Sequence, residues 1–483
     1  MLSPFWFFRK RQYYILAVVL ICSFFAVCYS ALSIVRHSHY ASYGYDLGIN
    51  DQTIWRYSKF EPPISTIAPF PDRSKLELHV ELVYVLIAPF YWLWSTRRFL
   101  LIISAVVMCS GGLAVYLLSK HRVKDEFLSF SLTFSYLLFY GMQFAAWFDV
   151  HSSGFGAAFL MWFLYFLDRK KRWWSLLFFF LTITSKENMA LYTFVVAIIY
   201  MIRRREKIVL FFAGFSITYL LFIFYVFFPH IMHVSYLYQN KDGLLSNINP
   251  LFLFNSIEKL TTLFYSFLSV GFIPIFNPLT LPLIMTHFAT FFVIASDLPG
   301  AQGLFGHYRV TLGPLLTWST IMTIATFKFL NKKYVAIYLL FCAFLVQYTL
   351  HLPLSYLTKE WFWKTPEAAY TINKVINTSL PATASVASQN NITPHISQRD
   401  KIYTLYPTMK TFESSSPCGR QKCNWLSWYG NPEYVIVDIA KDWDARHLLA
   451  DRPVFLDALS NVEKAKVLTR YKVEGTTILY KTR

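Results

Sequence analysis

Long apolar runs recur along this chain from its N-terminal end to about residue 352, and they leave few folds open. They fall at roughly 12–34, 99–119, 127–147, 154–168, 173–184, 188–202, 208–228, 259–276, 279–296, 309–327 and 334–352. Backbone polar groups in hydrocarbon must bond within a helix or around a closed barrel. Barrel strands alternate apolar and polar residues, and a run such as Ile208–Phe228 does not. The expected fold is therefore an all-α polytopic membrane bundle of about eleven transmembrane helices. Of 483 residues, 55% are hydrophobic and only 15% charged, as a chain of this class requires. A net charge of +18 would suggest a nucleic-acid partner in a soluble protein. Here the tendency of basic residues to stay on the cytoplasmic side accounts for it, and nucleic acid is set aside. The first apolar run is too long for a signal peptide and shows no small-residue cleavage site, so it reads as an uncleaved first helix.

Basic clusters set the orientation. Arg9-Lys10-Arg11, Lys120/Arg122/Lys124, Arg169-Lys170-Lys171-Arg172, Arg203-Arg204-Arg205/Lys207 and Lys328/Lys332/Lys333 share the cytoplasmic face only if His79–Trp94 makes no net crossing. That segment carries Pro89 and Glu81, and reads as an interfacial or re-entrant helix on the outer face. The N-terminus is then inside and the C-terminus outside the cytoplasmic (plasma) membrane. The outer face collects Asp46, Asp51, Glu77, His79 and Glu81 from a first outer loop over 35–98, then Asp149, His151, Lys186, Glu187, Asp297, His307 and Arg309. The runs 173–184 and 188–202 cover only about 18–23 Å of a roughly 30 Å core, so the tip Thr184–Asn188 should lie in a recess. Ionisable groups at such depth are functional candidates.

The domain organisation expected is 1–352 as the transmembrane part and 353–483 as a small α/β domain outside the membrane. Pro366–Leu380 reads as a helix, with Pro381 beyond its end. Ala384–Ala387, Lys401–Tyr406 and Tyr434–Ile439 read as strands, and Tyr471–Tyr480 as a hairpin through Glu474-Gly475. Cys418 and Cys423 are close enough in sequence to bridge a loop, and an oxidising compartment would permit that disulfide.

Each polar candidate has two readings. Asp46 can cap a helix beginning near Leu47, with Asp51 on its solvated face. Either can instead be a base at the lipid–water border, its pKa raised by partial burial. Lys186-Glu187 is a self-neutralised pair or a phosphate and sugar contact. His307-Tyr308-Arg309 is an aromatic belt with a snorkelling arginine, or a site for a lipid phosphate.

Several of these residues carry a resemblance. The run Tyr45-Asp46-Leu47-Gly48-Ile49-Asn50-Asp51-Gln52-Thr53-Ile54-Trp55 resembles the opening signature of the domain-of-unknown-function family 2079. So do His79 before Ala88-Pro89-Phe90-Tyr91, Phe148-Asp149-Val150-His151, Lys186-Glu187 and His307-Tyr308-Arg309. The tail elements Ala384-Ser385-Val386-Ala387-Ser388 and Pro394-His395-Ile396-Ser397-Gln398-Arg399 complete the series. That family more distantly resembles the type C glycosyltransferases, which use polyprenyl-phosphate sugars. The resemblance implies an inverting sugar transfer from a polyprenyl-phosphate donor to an acceptor of unnamed identity. Asp46 would be the base, with Asp51 second. His79, His151, Lys186, Glu187, His307 and Arg309 would hold the donor's phosphate and sugar. A divalent metal serves some members of that superfamily, but no ligand constellation here demands one. A transporter or flippase of a lipid-linked or polar substrate is the alternative, since charged groups inside a bundle also mark transport pathways. A non-catalytic scaffold is a third.

Overall fold

The computed structural model describes residues 4–67, 73–204, 206–236, 250–294, 300–327, 329–411 and 422–482. Arg205, Asp297, Lys328 and Cys418 lie outside the described residues, and of Arg9, Lys10, Arg11 and Arg204 the backbone alone is described. A helix occupies each of the eleven apolar runs. Four helices, Tyr13–Ser38, Arg97–Val123, Lys207–Ile231 and Lys332–Leu350, are long and apolar enough to cross a membrane. The chain folds as two compact units, each assembled from separated segments.

One unit comprises Met1–Ser33, Leu76–Val83 and Leu101–Thr358, and is helical. Its central helix is Leu312–Thr326, in which every residue from Leu312 to Ile324 is buried. The hydroxyls on that helix are satisfied locally, Thr320 by the Leu316 carbonyl and Thr323 by that of Ser319, while Ser319 also bonds Thr280 at 2.5 Å. In a membrane such bonds add to close packing as the cohesive force between helices. Large apolar side chains on the outer helices, among them Leu20, Phe24, Val27, Phe341 and Phe344, stay exposed. A continuous apolar surface of that kind suits lipid rather than water.

Two of the expected spans are interrupted. The run 127–147 is Glu126–Leu138 followed by Tyr140–Trp147, with Phe139 extended at φ −54°, ψ 132°. Nothing in the composition of that run signals the break. Just beyond the break, a Cβ on Gly141 would sit 2.6 Å from the Arg309 carbonyl oxygen, so the chain passes that backbone closely. The run 259–276 is a helix over Ile257–Leu268 and a 3-10 turn over Ile273–Phe276. They are joined through Gly271 and Phe272, both in the left-handed region.

Two of the basic clusters, those around Arg122 and Arg169, meet at one end of this unit. Arg122 forks onto the buried Asp168, Tyr200 donates to the same carboxylate at 3.3 Å, Arg169 reaches His121 at 2.9 Å and Lys170 reaches Glu206 at 3.2 Å. Helix Ser152–Asp168 runs from that end for 17 residues, so its N-terminus lies about 25 Å away. His151 stands at that far end.

The other unit comprises Ile34–Lys75, Tyr84–Leu100 and Lys359–Arg483. Its strands in chain order are β1 Ile64–Ser65, β2 Arg73–Ser74, β3 Val386–Ser388, β4 Ile402–Thr404, β5 Tyr406–Lys410, β6 Cys423–Ser427, β7 Tyr434–Asp438, β8 Leu468–Glu474 and β9 Thr477–Thr482. The main sheet has the order β4-β3-β7-β9-β8. β3 lies parallel to β4 and β7, whereas β7–β9 and β8–β9 are antiparallel. Gly475, at φ +54°, makes the β8–β9 turn where a side chain would be strained. Helix Glu367–Ser379 packs on β8 and β9, and helix Arg452–Lys464 on the β5–β6 pair. That second helix and strand β6 have no counterpart in the sequence-based expectation. Residues Val83–Trp92 form two five-residue turns of helix. At about 15 Å they reach half-way across a hydrocarbon core, and they leave Leu86, Phe90 and Trp92 exposed.

Candidate functional site

The predicted site residues divide between the two units. His79, His151, Lys186, Glu187, His307 and Arg309 belong to the helical unit; Asp46 and Asp51 belong to the other.

In the helical unit the short helices Arg172–Ile183 and Met189–Arg204 meet at a tip where Ser185 and Glu187 are completely buried. A carboxylate there needs partners, and Glu187 has three. His79 donates from Nδ1 at 2.7 Å, Tyr236 from its hydroxyl at 2.7 Å and the Val80 amide at 3.1 Å. Burial works to raise the carboxyl's pKa, but the imidazole of His79, the ammonium of Lys186 and the Tyr236 hydroxyl outweigh it and hold it at about 2. Glu187 is thus an anion at neutral pH. Glu81, two residues from His79, faces a different partner and accepts from the Ser152 hydroxyl at 2.6 Å.

His151 precedes helix Ser152–Asp168, where its extended backbone ends the Phe148–Val150 turn. Asp149 holds φ at +69°, a conformation Asp tolerates better than most residues. The turn aims the His151 ring flat onto His307, with centroids 3.4 Å apart and planes 10° off parallel. Phe148 flanks both rings at 5.8 and 5.6 Å, and Tyr308 lies 4.3 Å from His307. Burial, then the positive charges available to His151, Lys186 and His79, push His307 well below the usual imidazole range. Its Nδ1 is buried and has no hydrogen-bond partner among the described residues. Three nitrogen-bearing side chains, from three other stretches of the chain, therefore act on His307 here. An incoming anion would reverse the electrostatics, since it favours the protonated ring that burial disfavours.

Arg309 takes a different part. It is fully buried, donating from Nε to Gly303 O at 3.2 Å, from Nη2 to Ala301 O, and contacting His287 Nε2 from Nη1 at 3.1 Å. All three guanidinium nitrogens are engaged by the protein, and they fasten the segment 301–309, which carries His307.

In the other unit, Asp46 lies on a single turn of π-helix, Gly44–Gly48, that leads into helix Ile49–Ser58. Asp46 is half-buried. Asp51 is completely buried and fully engaged. Its Oδ1 accepts from the Tyr91 hydroxyl at 2.8 Å and Gln398 Nε2 at 3.1 Å; its Oδ2 accepts from the Ser397 hydroxyl at 2.6 Å and pairs with Arg97 Nε at 3.2 Å. With that set of donors Asp51 ties three segments of its unit together. His395 in the same tail is stacked between His37 at 4.0 Å and Tyr40 at 3.7 Å. Of the expected disulfide, Cys418 lies outside the described residues, while Cys423 opens β6. Among the described residues no three His, Cys, Asp or Glu side chains are grouped as metal ligands.

Tyr236, Ser152, Tyr91 and Arg97 were not apparent from the sequence. Nothing local marks any of them as a carboxylate's partner, and only the fold brings it to one.

Comparison with solved structures defines the class first. The chain has the fold of ArnT from Cupriavidus metallidurans. The apo crystal structure aligns with a TM-score of 0.56 at 10% identity, covering 98% of each chain. The same protein bound to undecaprenyl phosphate aligns at 0.55 and 9%, covering 96% of this chain and 97% of that one. This is a multi-pass membrane fold carrying a mixed sheet. No curated protein sequence matches. The family described as predicted membrane protein (DUF2079) matches residues 36–449, and the chain belongs to it.

Proposed function

We propose that this protein is a membrane glycosyltransferase of the type C fold, moving a sugar from a polyprenyl-phosphate donor to an acceptor at the outer face of the cytoplasmic membrane. The observation that carries the reading is the alignment with ArnT over nearly the whole of both chains, one of the two structures holding undecaprenyl phosphate. In this reading eleven helices span, the N-terminus is inside and residues 353–483 lie outside. The end of the helical unit that gathers Arg122, Arg169 and Lys170 faces the cytoplasm, in keeping with the positive-inside rule. His79, Lys186, His151 and His307 then face outward.

In the reaction, Asp46 takes the proton of the acceptor hydroxyl as its oxygen attacks the anomeric carbon. The bond from that carbon to the phosphate oxygen breaks, and its electron pair leaves with the polyprenyl phosphate, inverting the centre. Within the helical unit, Lys186 and the three imidazoles are the groups suited to oppose charge on a phosphate, a form of stabilisation worth orders of magnitude in rate. Glu187 orients His79, and Arg309 holds the segment bearing His307. The saturated donor set on Asp51 favours Asp46 as the base, because a carboxylate with both oxygens occupied has little capacity left to receive a proton.

Membranes containing the protein should transfer labelled sugar from a polyprenyl-phosphate donor, and Asp46→Asn should abolish transfer at an unchanged protein level. Full transfer by that variant removes Asp46 from the mechanism. Equilibration of an unaltered lipid-linked substrate across liposomes, with no transfer, would instead identify a flippase.

A further inference from the structure

The tail motif Pro394–Arg399 and the segment bearing Asp46 are far apart in sequence, yet they lie side by side in one unit. Gly44 bonds Asn390, Asp51 bonds Ser397 and Gln398, and the Gln52 amide bonds the Arg399 carbonyl. The separation is 346 or 347 residues at every one of these contacts, so the two segments run alongside each other in register. Where the register begins, the contact is made by Asn390. Its Oδ1 accepts from the Gly44 amide at 2.9 Å and the Tyr45 amide at 3.3 Å, and its carbonyl accepts from Gly44 at 2.6 Å. Its Nδ2 donates to the Arg446 carbonyl at 2.9 Å, which fixes the plane of the amide.

Those two amides belong to the first residues of the turn that carries Asp46. Gly44 is packed so closely that a Cβ would stand 2.9 Å from Thr393 Cβ and 3.1 Å from Asn390 Oδ1. Thr393 is itself fixed to the end of β3, bonding the Ser388 hydroxyl and the Gln389 carbonyl, both at 2.8 Å. The π-turn is therefore referenced to the sheet through one side-chain amide and one threonine.

We propose that Asn390 is the positioning residue for Asp46: it captures the N-terminal amides of the Gly44–Gly48 turn and sets where the carboxylate points. This rests on the reading of Asp46 as the base. A reacting group displaced by about 1 Å can cost about a hundredfold in rate, while substrate binding made elsewhere is untouched.

The test uses the full-length protein in lipid nanodiscs, with the variants Asn390→Leu, Asn390→Asp and Gly44→Ala. Asn390→Leu keeps the volume and removes both the acceptor and the donor; Asn390→Asp keeps the acceptor. Amide hydrogen exchange of the peptide spanning residues 43–48 should rise about tenfold in Asn390→Leu and in Gly44→Ala, and stay near wild type in Asn390→Asp. With a polyprenyl-phosphate sugar donor, Asn390→Leu should lower kcat about a hundredfold at a KM within about twofold, and Asn390→Asp should recover most of it. Unchanged exchange in both Asn390→Leu and Gly44→Ala overturns the positioning role, whatever the activity. Raised exchange with wild-type kcat, in a protein that Asp46→Asn inactivates, overturns it as well. Activity in Asp46→Asn overturns the base assignment itself, and the exchange measurement still decides separately whether Asn390 holds the turn.

Discussion

Replacing Glu187 by Gln keeps the side chain's shape and removes its charge, which isolates what the buried anion contributes. In the folded protein its pKa falls from an ordinary 4.5 to about 2. That lowering corresponds to about 3 kcal/mol. That agrees with the roughly 3–5 kcal/mol lost when one partner of a buried hydrogen-bonded charge pair is removed. The amide would also set an NH2 group against donors from His79, Tyr236 or Val80, all of which now point at carboxylate oxygens. Because the folded pKa is depressed, the contribution is complete above about pH 4.5, shrinks as pH falls and vanishes below about 2. Thermal unfolding of the two proteins, followed by tryptophan fluorescence in detergent, should differ by roughly 3–5 °C at pH 7. The gap should hold constant down to about pH 5 and then close as acid is added. Equal transitions at pH 7, or a gap that widens in acid, would refute the placement of an ionised Glu187 at the centre of this cluster.

Asp51→Ala should destabilise by about 3 kcal/mol, because Tyr91, Gln398, Ser397 and Arg97 all lose their shared acceptor, and a lowered unfolding transition measures it. His307→Phe keeps an aromatic ring on His151, so the unfolding temperature should change by no more than a few degrees while KM for a polyprenyl-phosphate donor rises at least several-fold. Gly141→Ala should cost about 1–3 kcal/mol, since its Cβ meets backbone that cannot rotate away, and reduced yield of folded protein reports it.

Much of the chain was legible in sequence because lipid imposes a strict rule: an apolar run must satisfy its own backbone, so each run announces a helix. The same pattern said nothing of where a helix breaks. Phe139 lies in an apolar stretch, and its extended backbone falls two residues before Gly141, where the Arg309 backbone passes close. Candidate residues were marked by being ionisable in apolar surroundings, a local property. Whether a charge serves chemistry or architecture depends on partners, which are not local. Arg309 looked like a phosphate ligand, yet its nitrogens are engaged by Ala301, Gly303 and His287. Asp51, the second choice for the base, has Tyr91, Arg97, Ser397 and Gln398 around it, partners that no local pattern announces.

By itself the sequence determined the class of protein, the helices of its apolar runs and most strands of the main sheet in the tail, because burial in lipid and alternation in strands are written in composition and period. Tertiary structure alone decided the pairing of Glu187 with His79, the stacking of His151 on His307, and the register of residues 390–399 beside 44–52. Those contacts join groups tens to hundreds of residues apart, and no local pattern encodes a distance that only folding makes short.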